Sequence, residues 1–409
     1  MSLTIHDSRA AWGRLGVTVL AGTVGNVGMW SVIVALPMMA ADFGLERAQS
    51  SALFAATMIG FAIGNVLTGR MLDRQGLVPT LLLAGLLTGL GHIVTGFAPN
   101  AWVAGGAQVA VGLGTAGCFA PLMADISHWF RRRRGIAVSI AASANYLAGI
   151  VWPLLLNLWI PVMGWGQAYA LTGVLVLALL PGLIWVLRHP LPAEARAGDA
   201  ATAGGRSLQI PQKTLLLMLS LAGVACCVAM SMPQVHIVAL CMDLGFGPAV
   251  GAEMLSLMLA GGVVSRLIGG VISDRIGGLA TLLLFGALQM CALFLYLPFD
   301  GLISLYVVSL IFGLSQGGIV PAYAVIVREY MPASVAGANV GIVMMATILG
   351  MALGGWLSGA IHDWTGSYTA AFLNGIVWNA ANIGIVLWLL SRGGRLQFSP
   401  RSGKAAASA

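Results

Sequence analysis

The chain has 409 residues, of which 59% are hydrophobic and 8% charged, and a formal net charge of +7. A soluble domain carries about 25% charged residues, so this composition, with a mean hydropathy of +0.93, excludes a soluble globular protein. It points instead to about twelve membrane spans of ~20 residues joined by short loops.

Apolar runs in chain order predict spans near 15–40, 51–69, 78–98, 101–125, 135–158, 165–187, 213–240, 250–272, 278–297, 301–327, 335–361 and 367–391. The first run is too long for the apolar core of a cleaved signal and reads as a span. The longest polar stretch divides the spans six and six. The expected organisation is therefore a bundle over 1–188, a flexible cytoplasmic linker over 189–212, a bundle over 213–391 and a polar tail over 392–409. The five cysteines lie in or near apolar runs without metal spacing or a disulfide framework, and read as packing residues.

Charge sets the expected orientation. With both termini in the cytoplasm, eighteen of the 20 Lys and Arg fall in the termini or in cytoplasmic loops, leaving Arg47 in an outer loop and Arg266 inside a span. Cytoplasmic loops carry the Lys/Arg excess. The net charge is thus a topology signal, and no nucleic-acid partner is implied.

An internal repeat follows. Gly69, Asp73, Arg74 and Gly76 after span 2 match Gly270, Asp274, Arg275 and Gly277 after span 8 in a G-x-x-x-D-R-x-G pattern, 201 residues apart. The same offset maps Gly60 onto Gly261 and Gly112 onto Gly313. Two six-span halves related as parallel repeats produce this signature. Glycine lets helix ends approach closely, and the carboxylates can sit at neighbouring helix N-termini. Asp73, Arg74, Asp274 and Arg275 are therefore the expected gating residues of a cytoplasmic lock.

These motifs resemble the major facilitator superfamily. The resemblance implies an all-α integral membrane fold of 12 transmembrane helices in two six-helix bundles, with a substrate site between them. The Arg usual in span 4 is replaced by Gln108. A finer set, Trp129-Phe130 with Arg133-Arg134-Gly135, Gly149 with Trp152-Pro153, Pro233 with His236, Asp243-Leu244-Gly245, and Gly262 with Arg266 and Gly270, resembles the monocarboxylate transporter and oxalate:formate antiporter branch. Eukaryotic carriers of that branch hold an Asp one turn before the span-8 Arg, where this chain has Gly262. The oxalate carrier adds a Lys in span 11, and none occurs here between Val335 and Ile361. A monoanion fits better than a dianion.

Arg266 is the leading candidate for substrate binding. An Arg inside a span costs roughly 2.5–3.5 kcal/mol on insertion scales, no acid sits a turn away, and a guanidinium grips a carboxylate bidentately; snorkelling or a packing role is the plainer alternative. His236 is a candidate carboxylate partner or proton carrier. Asn26 and Trp30 on span 1, and Asn145 and Tyr146 on span 5, are further substrate-binding candidates, against the ordinary role of polar residues in bonding helices together. His92, Gln108, Gln316, Tyr323 and Asn339 are weaker candidates. No catalytic residues, metal ligands or cofactor are expected: no nucleophile–base set, metal cluster or phosphate-binding loop appears, which argues against an enzyme.

The sequence therefore predicts a secondary transporter for a small monocarboxylate, working by alternating access and coupled to protons, embedded as a monomer in the lipid bilayer of a bacterial inner membrane. Efflux of amphipathic drugs or metabolites is the alternative, and a non-transporting membrane sensor is a second.

Overall fold

The structure, a computed structural model, describes residues 6–130, 133–189, 210–298, 300–331 and 333–392, apart from the side chains of residues 73, 134, 135, 274, 328 and 333–338. The expected linker and tail lie almost wholly outside these residues. The described chain is helical and holds no strand. In the first half, α1 (Arg9–Gly25), α2 (Val27–Phe43), α3 (Arg47–Gln75), α4 (Leu77–Gly96), α5 (Ala101–Gly117), α6 (Ala120–Trp129) and α7 (Arg134–Leu187) follow one another. The second half holds α8 (Gln212–Asp243), α9 (Pro248–Ile276), α10 (Gly278–Leu295), α11 (Leu302–Gln316), α12 (Ile319–Tyr330), α13 (Ala333–Thr365) and α14 (Tyr368–Arg392).

Eleven apolar segments among the described residues are long enough to cross a membrane. Several are not single rods. α1 and α2 join end to end at Asn26, α5 and α6 at Cys118–Phe119, and α11 and α12 at Gly317–Gly318. The expected spans 5 and 6 are both contained in α7, whose backbone leaves helical geometry only at Gly164 (φ 80°, ψ 160°). The loop expected over 159–164 is thus helix up to one glycine, because its residues are apolar enough to extend the span.

Gly164 reverses the chain. The start of α7 meets the N-terminal segment, where the Arg133 N–H donates to Asp7. Its far end meets the same segment, where Arg14 donates to the carbonyls of Leu187 and His189. Both ends of α7 therefore lie at one end of the molecule. Gly76 (φ 85°, ψ −177°) and Gly277 (φ 83°, ψ 166°) make the same single-residue link from α3 to α4 and from α9 to α10. That backbone region is essentially restricted to glycine.

The repeat persists in the packing. A Cβ on Gly60 would strike the Val109 carbonyl, and one on Gly261 the Leu310 carbonyl. Likewise Gly112 abuts the Thr57 carbonyl, and Gly313 that of Met258. Both of these contacts recur at the 201-residue offset in the second half. Small residues are used in this way because helices in lipid gain stability by close backbone approach rather than by exclusion of water.

Candidate substrate site between α7 and α9

Among the described side chains two arginines are buried within helices, and their surroundings differ. Arg14, in α1, is fully engaged. Its Nε donates to Asp125 at 2.8 Å, its other nitrogens reach the Leu187 and His189 carbonyls, and its guanidinium lies 4.6 Å from the Trp129 ring centre. A carboxylate and two carbonyls offset the cost of burying that charge.

Arg266, in α9, is only 5% exposed. It has no carboxylate partner among the described residues. Its Nη1 crosses to α7 and donates to the Ala142 carbonyl at 2.8 Å. Its Cζ stands 4.0 Å from the centre of the Tyr146 ring. Its Nε is buried with no hydrogen-bond partner among the described residues. Buried donors are rarely left unmade, since an unmet one costs about 1–3 kcal/mol. This buried cation is charged, incompletely bonded and bridges the two halves of the chain.

Three of the other sequence candidates gather here. Tyr146 and Trp30 meet edge to face with ring centres 6.3 Å apart. Trp30 Nε1 donates to the Asn145 side-chain oxygen at 2.7 Å and to the Asn145 carbonyl at 2.9 Å. Asn145 in turn donates to the Met29 sulfur at 3.4 Å. Ser256 adds a second bond from α9 to α7, donating to the Ile150 carbonyl at 3.2 Å. Trp30, Asn145, Tyr146 and Arg266 thus form one cluster from α2, α7 and α9.

Asn26 and His236 lie elsewhere. Asn26 donates to the Gly22 carbonyl at 2.7 Å and the Cys118 carbonyl at 3.2 Å, so it ties the break between α1 and α2 to the break after α5. His236 lies in α8, which continues unbroken past Pro233. Its Nε2 is 2.8 Å from the Gly355 carbonyl and its Nδ1 3.3 Å from the Tyr368 hydroxyl. The neutral tautomer protonated at Nε2 satisfies both contacts.

His236 belongs to a closure between the halves at the end of the molecule opposite the start of α1. Arg47 pairs with Asp243 there, and His362 stands 3.5 Å from the same carboxylate. The Asp363 carboxylate accepts the backbone N–H groups of Arg47 and Ala48. Sequence reasoning missed Asp363. It singled out Arg47 as the one basic residue of its set of loops and Asp243 within a motif, but no pattern in the chain pairs the two.

Each weaker candidate makes at least one hydrogen bond, although the Gln316 side-chain nitrogen is buried without a partner among the described residues. His92 sits between the Thr88 carbonyl at 2.7 Å and the Ser31 hydroxyl at 2.9 Å. Gln108 accepts from Thr57 and donates to Thr95. Gln316 accepts from Gln234, Tyr323 donates to Asn382, and Asn339 donates to the Met331 sulfur. Among the expected gating residues, Arg74 and Arg275 lie exposed in the last turns of α3 and α9. The side chains of Asp73 and Asp274 lie outside the described residues.

A family model for the Major Facilitator Superfamily matches residues 18–347 and 243–407. The chain belongs to the Major Facilitator Superfamily. It is a multi-pass membrane protein and a transporter, as its relatives in the superfamily are. Human monocarboxylate transporter 11 is 28% identical over 362 residues, covering 84% of this chain and 75% of that protein. Bovine monocarboxylate transporter 13 is 26% identical over 346 residues, covering 82% and 78%. The major facilitator fold is shared with the crystal structure of a bacterial homolog to the human lysosomal transporter Spinster, inward-facing and unoccupied. That match has a TM-score of 0.67 and 14% identity, covering 94% of this chain and 96% of that one.

Proposed function

We propose that this superfamily member carries a small monocarboxylate by alternating access, with Arg266 as the residue that grips the carboxylate. The observation that carries this reading is the buried, unpartnered Nε of a guanidinium that bridges α7 and α9. An arginine retained for structure alone would be expected to resemble Arg14, with a carboxylate and carbonyls around it. Arg266 has one carbonyl and one ring, which leaves donors for a ligand. The likeness to proteins named monocarboxylate transporters agrees with this chemistry.

In the proposed cycle the two halves of the chain, 1–188 and 213–391, rock about the site. Counting the reversal at Gly164, they cross the membrane twelve times. The termini and the 189–212 linker lie in the cytoplasm of a bacterial inner-membrane protein that works as a monomer. Asp73 and Asp274, with Arg74 and Arg275, close the cytoplasmic side. Arg47, Asp243 and Asp363 close the outer side, with His236 in that closure. Uphill movement is coupled to protons.

The test is acid binding by purified, monodisperse Arg266→Gln protein. A charge-assisted hydrogen bond contributes about 1.5–3 kcal/mol, so affinity should fall by about one to two orders of magnitude. Wild-type affinity in that variant would remove Arg266 from the site and favour efflux of amphipathic compounds instead.

A further inference from the structure

We infer that Gly262 is the specificity-determining position of this site, acting as a positioning residue. Its missing side chain lets the Tyr146 ring lie on α9 and cover one face of the Arg266 guanidinium. The inference rests on the proposed role of Arg266 and names the kind of acid that would be taken.

A Cβ built on Gly262 would stand 2.8 Å from Tyr146 Cε2 and 3.0 Å from Cδ2. Real Cβ atoms essentially never come so near, so any other residue at 262 must displace the ring. Gly262 and Arg266 are one helical turn apart and share a face of α9. The ring that rests on Gly262 therefore also reaches the guanidinium, at 4.0 Å.

Neither partner is free to retreat. Behind Tyr146 stands Trp30, pinned through Nε1 to Asn145. Behind α9 stands the break between α11 and α12, where a Cβ on Gly317 would come 2.6 Å from the Arg266 backbone nitrogen and would strike the Gly262 carbonyl. The turn of α9 that carries Arg266 is held between an aromatic ring on one side and a glycine on the other.

The consequence for recognition is geometric. One face of the guanidinium is covered by Tyr146, and Nη1 is occupied by the Ala142 carbonyl. The free Nε marks the edge that remains. A carboxylate bound there lies in the plane of the guanidinium, and its body runs along the Tyr146 ring, which Trp30 backs. Such a wall takes a flat, apolar body and offers little to a hydroxyl or a second charge. The substrate class is an aryl or unsaturated monocarboxylate in preference to a small hydroxy acid.

The probes are benzoate and lactate, titrated calorimetrically into the purified full-length chain. Wild type should prefer benzoate. Gly262→Ala and Tyr146→Leu should each reduce that preference by up to about tenfold, the upper scale of an aromatic–aromatic contact. In the Tyr146→Leu background, Gly262→Ala should change the preference less than about twofold, because no ring is left to displace. Independent, additive effects of the two substitutions would overturn the inference, as would a wild-type protein that binds lactate as well as benzoate. Should Gly262→Ala alone fail to fold, the comparison of Tyr146→Leu with the double variant still decides: a change in preference well above twofold there would overturn the inference. Failure here is separate from failure of the carboxylate role: Arg266→Gln tests that role by itself, and its loss of binding can stand while the selectivity stays fixed.

Discussion

Asp363 caps the helix that Arg47 begins. Its carboxylate accepts the Arg47 N–H at 2.9 Å and the Ala48 N–H at 2.6 Å. The N-terminus of α3, in the first half of the chain, carries its own capping box from Glu46 and Gln49, and its first two N–H groups are met by an acid on α13, in the second. The unmet N–H groups of a first turn favour negative charge. A cap that crosses between halves holds only while they are closed at this end, so it acts as a latch.

Asp363→Asn should loosen that latch, since a capping interaction contributes about 0.5–2 kcal/mol. A cysteine placed at Ser50, now buried beside Arg47, reports opening. In a background freed of the five native cysteines, thiol labelling at position 50 should run several-fold faster with Asn at 363. Equal rates would show that the cap does not restrain the closure.

The two buried arginines should respond oppositely to methionine. Arg14→Met strands Asp125 and the carbonyls of Leu187 and His189, and losing one partner of a buried pair costs about 3–5 kcal/mol. Arg266→Met removes an unmet donor and strands only a helical carbonyl that keeps its own turn's hydrogen bond. Thermal unfolding in detergent should show a large loss for Arg14→Met, and no loss or a gain for Arg266→Met. A comparable loss in both would make Arg266 a structural residue.

Gly164→Ala isolates backbone strain. No atom lies within 4 Å of a Cβ built there, but φ is +80°. An L-residue held in that region costs about 1–3 kcal/mol. Gly13 in α1 also has open space around it, and has no such φ. Gly13→Ala should leave stability unchanged or raise it by about 0.5–1 kcal/mol, while Gly164→Ala lowers it. Matching melting temperatures for the two variants would contradict the single-glycine reversal.

Orientation is tested by labelling intact cells with an impermeant thiol reagent. A cysteine at Thr365, exposed beside the α13–α14 turn, should react. One at Ser207, in the linker, should not. The reverse pattern would invert the topology proposed from the Lys and Arg distribution.

The membrane class, most span positions and the repeat were legible in the chain for one reason. Hydrocarbon offers backbone groups no partners, so every crossing must be a helix, and every helix leaves an apolar run. Arg266 was legible by the same rule, as a charge where none is cheap. The breaks at Asn26, Cys118–Phe119 and Gly317–Gly318 were not legible, because the residues that make them resemble the small packing residues around them. The sequence grouped His236 with Arg266 as polar residues of neighbouring spans. In the fold His236 bonds Gly355 and Tyr368 at the far closure.

The sequence by itself determined that this protein crosses the membrane many times, that its halves repeat, and that one charge inside a span has no acid a turn away. Those properties depend on residues close together in the chain or at a fixed offset. The tertiary structure alone decided that Tyr146 covers Arg266, that Asp363 caps α3, and that Asn26 ties two helix breaks together rather than neighbouring the cation. Each of these is a contact between residues about 90 to 320 positions apart. Such contacts are set by how closely helix backbones can approach, and so by where a glycine such as Gly262 or Gly317 meets its partner in space.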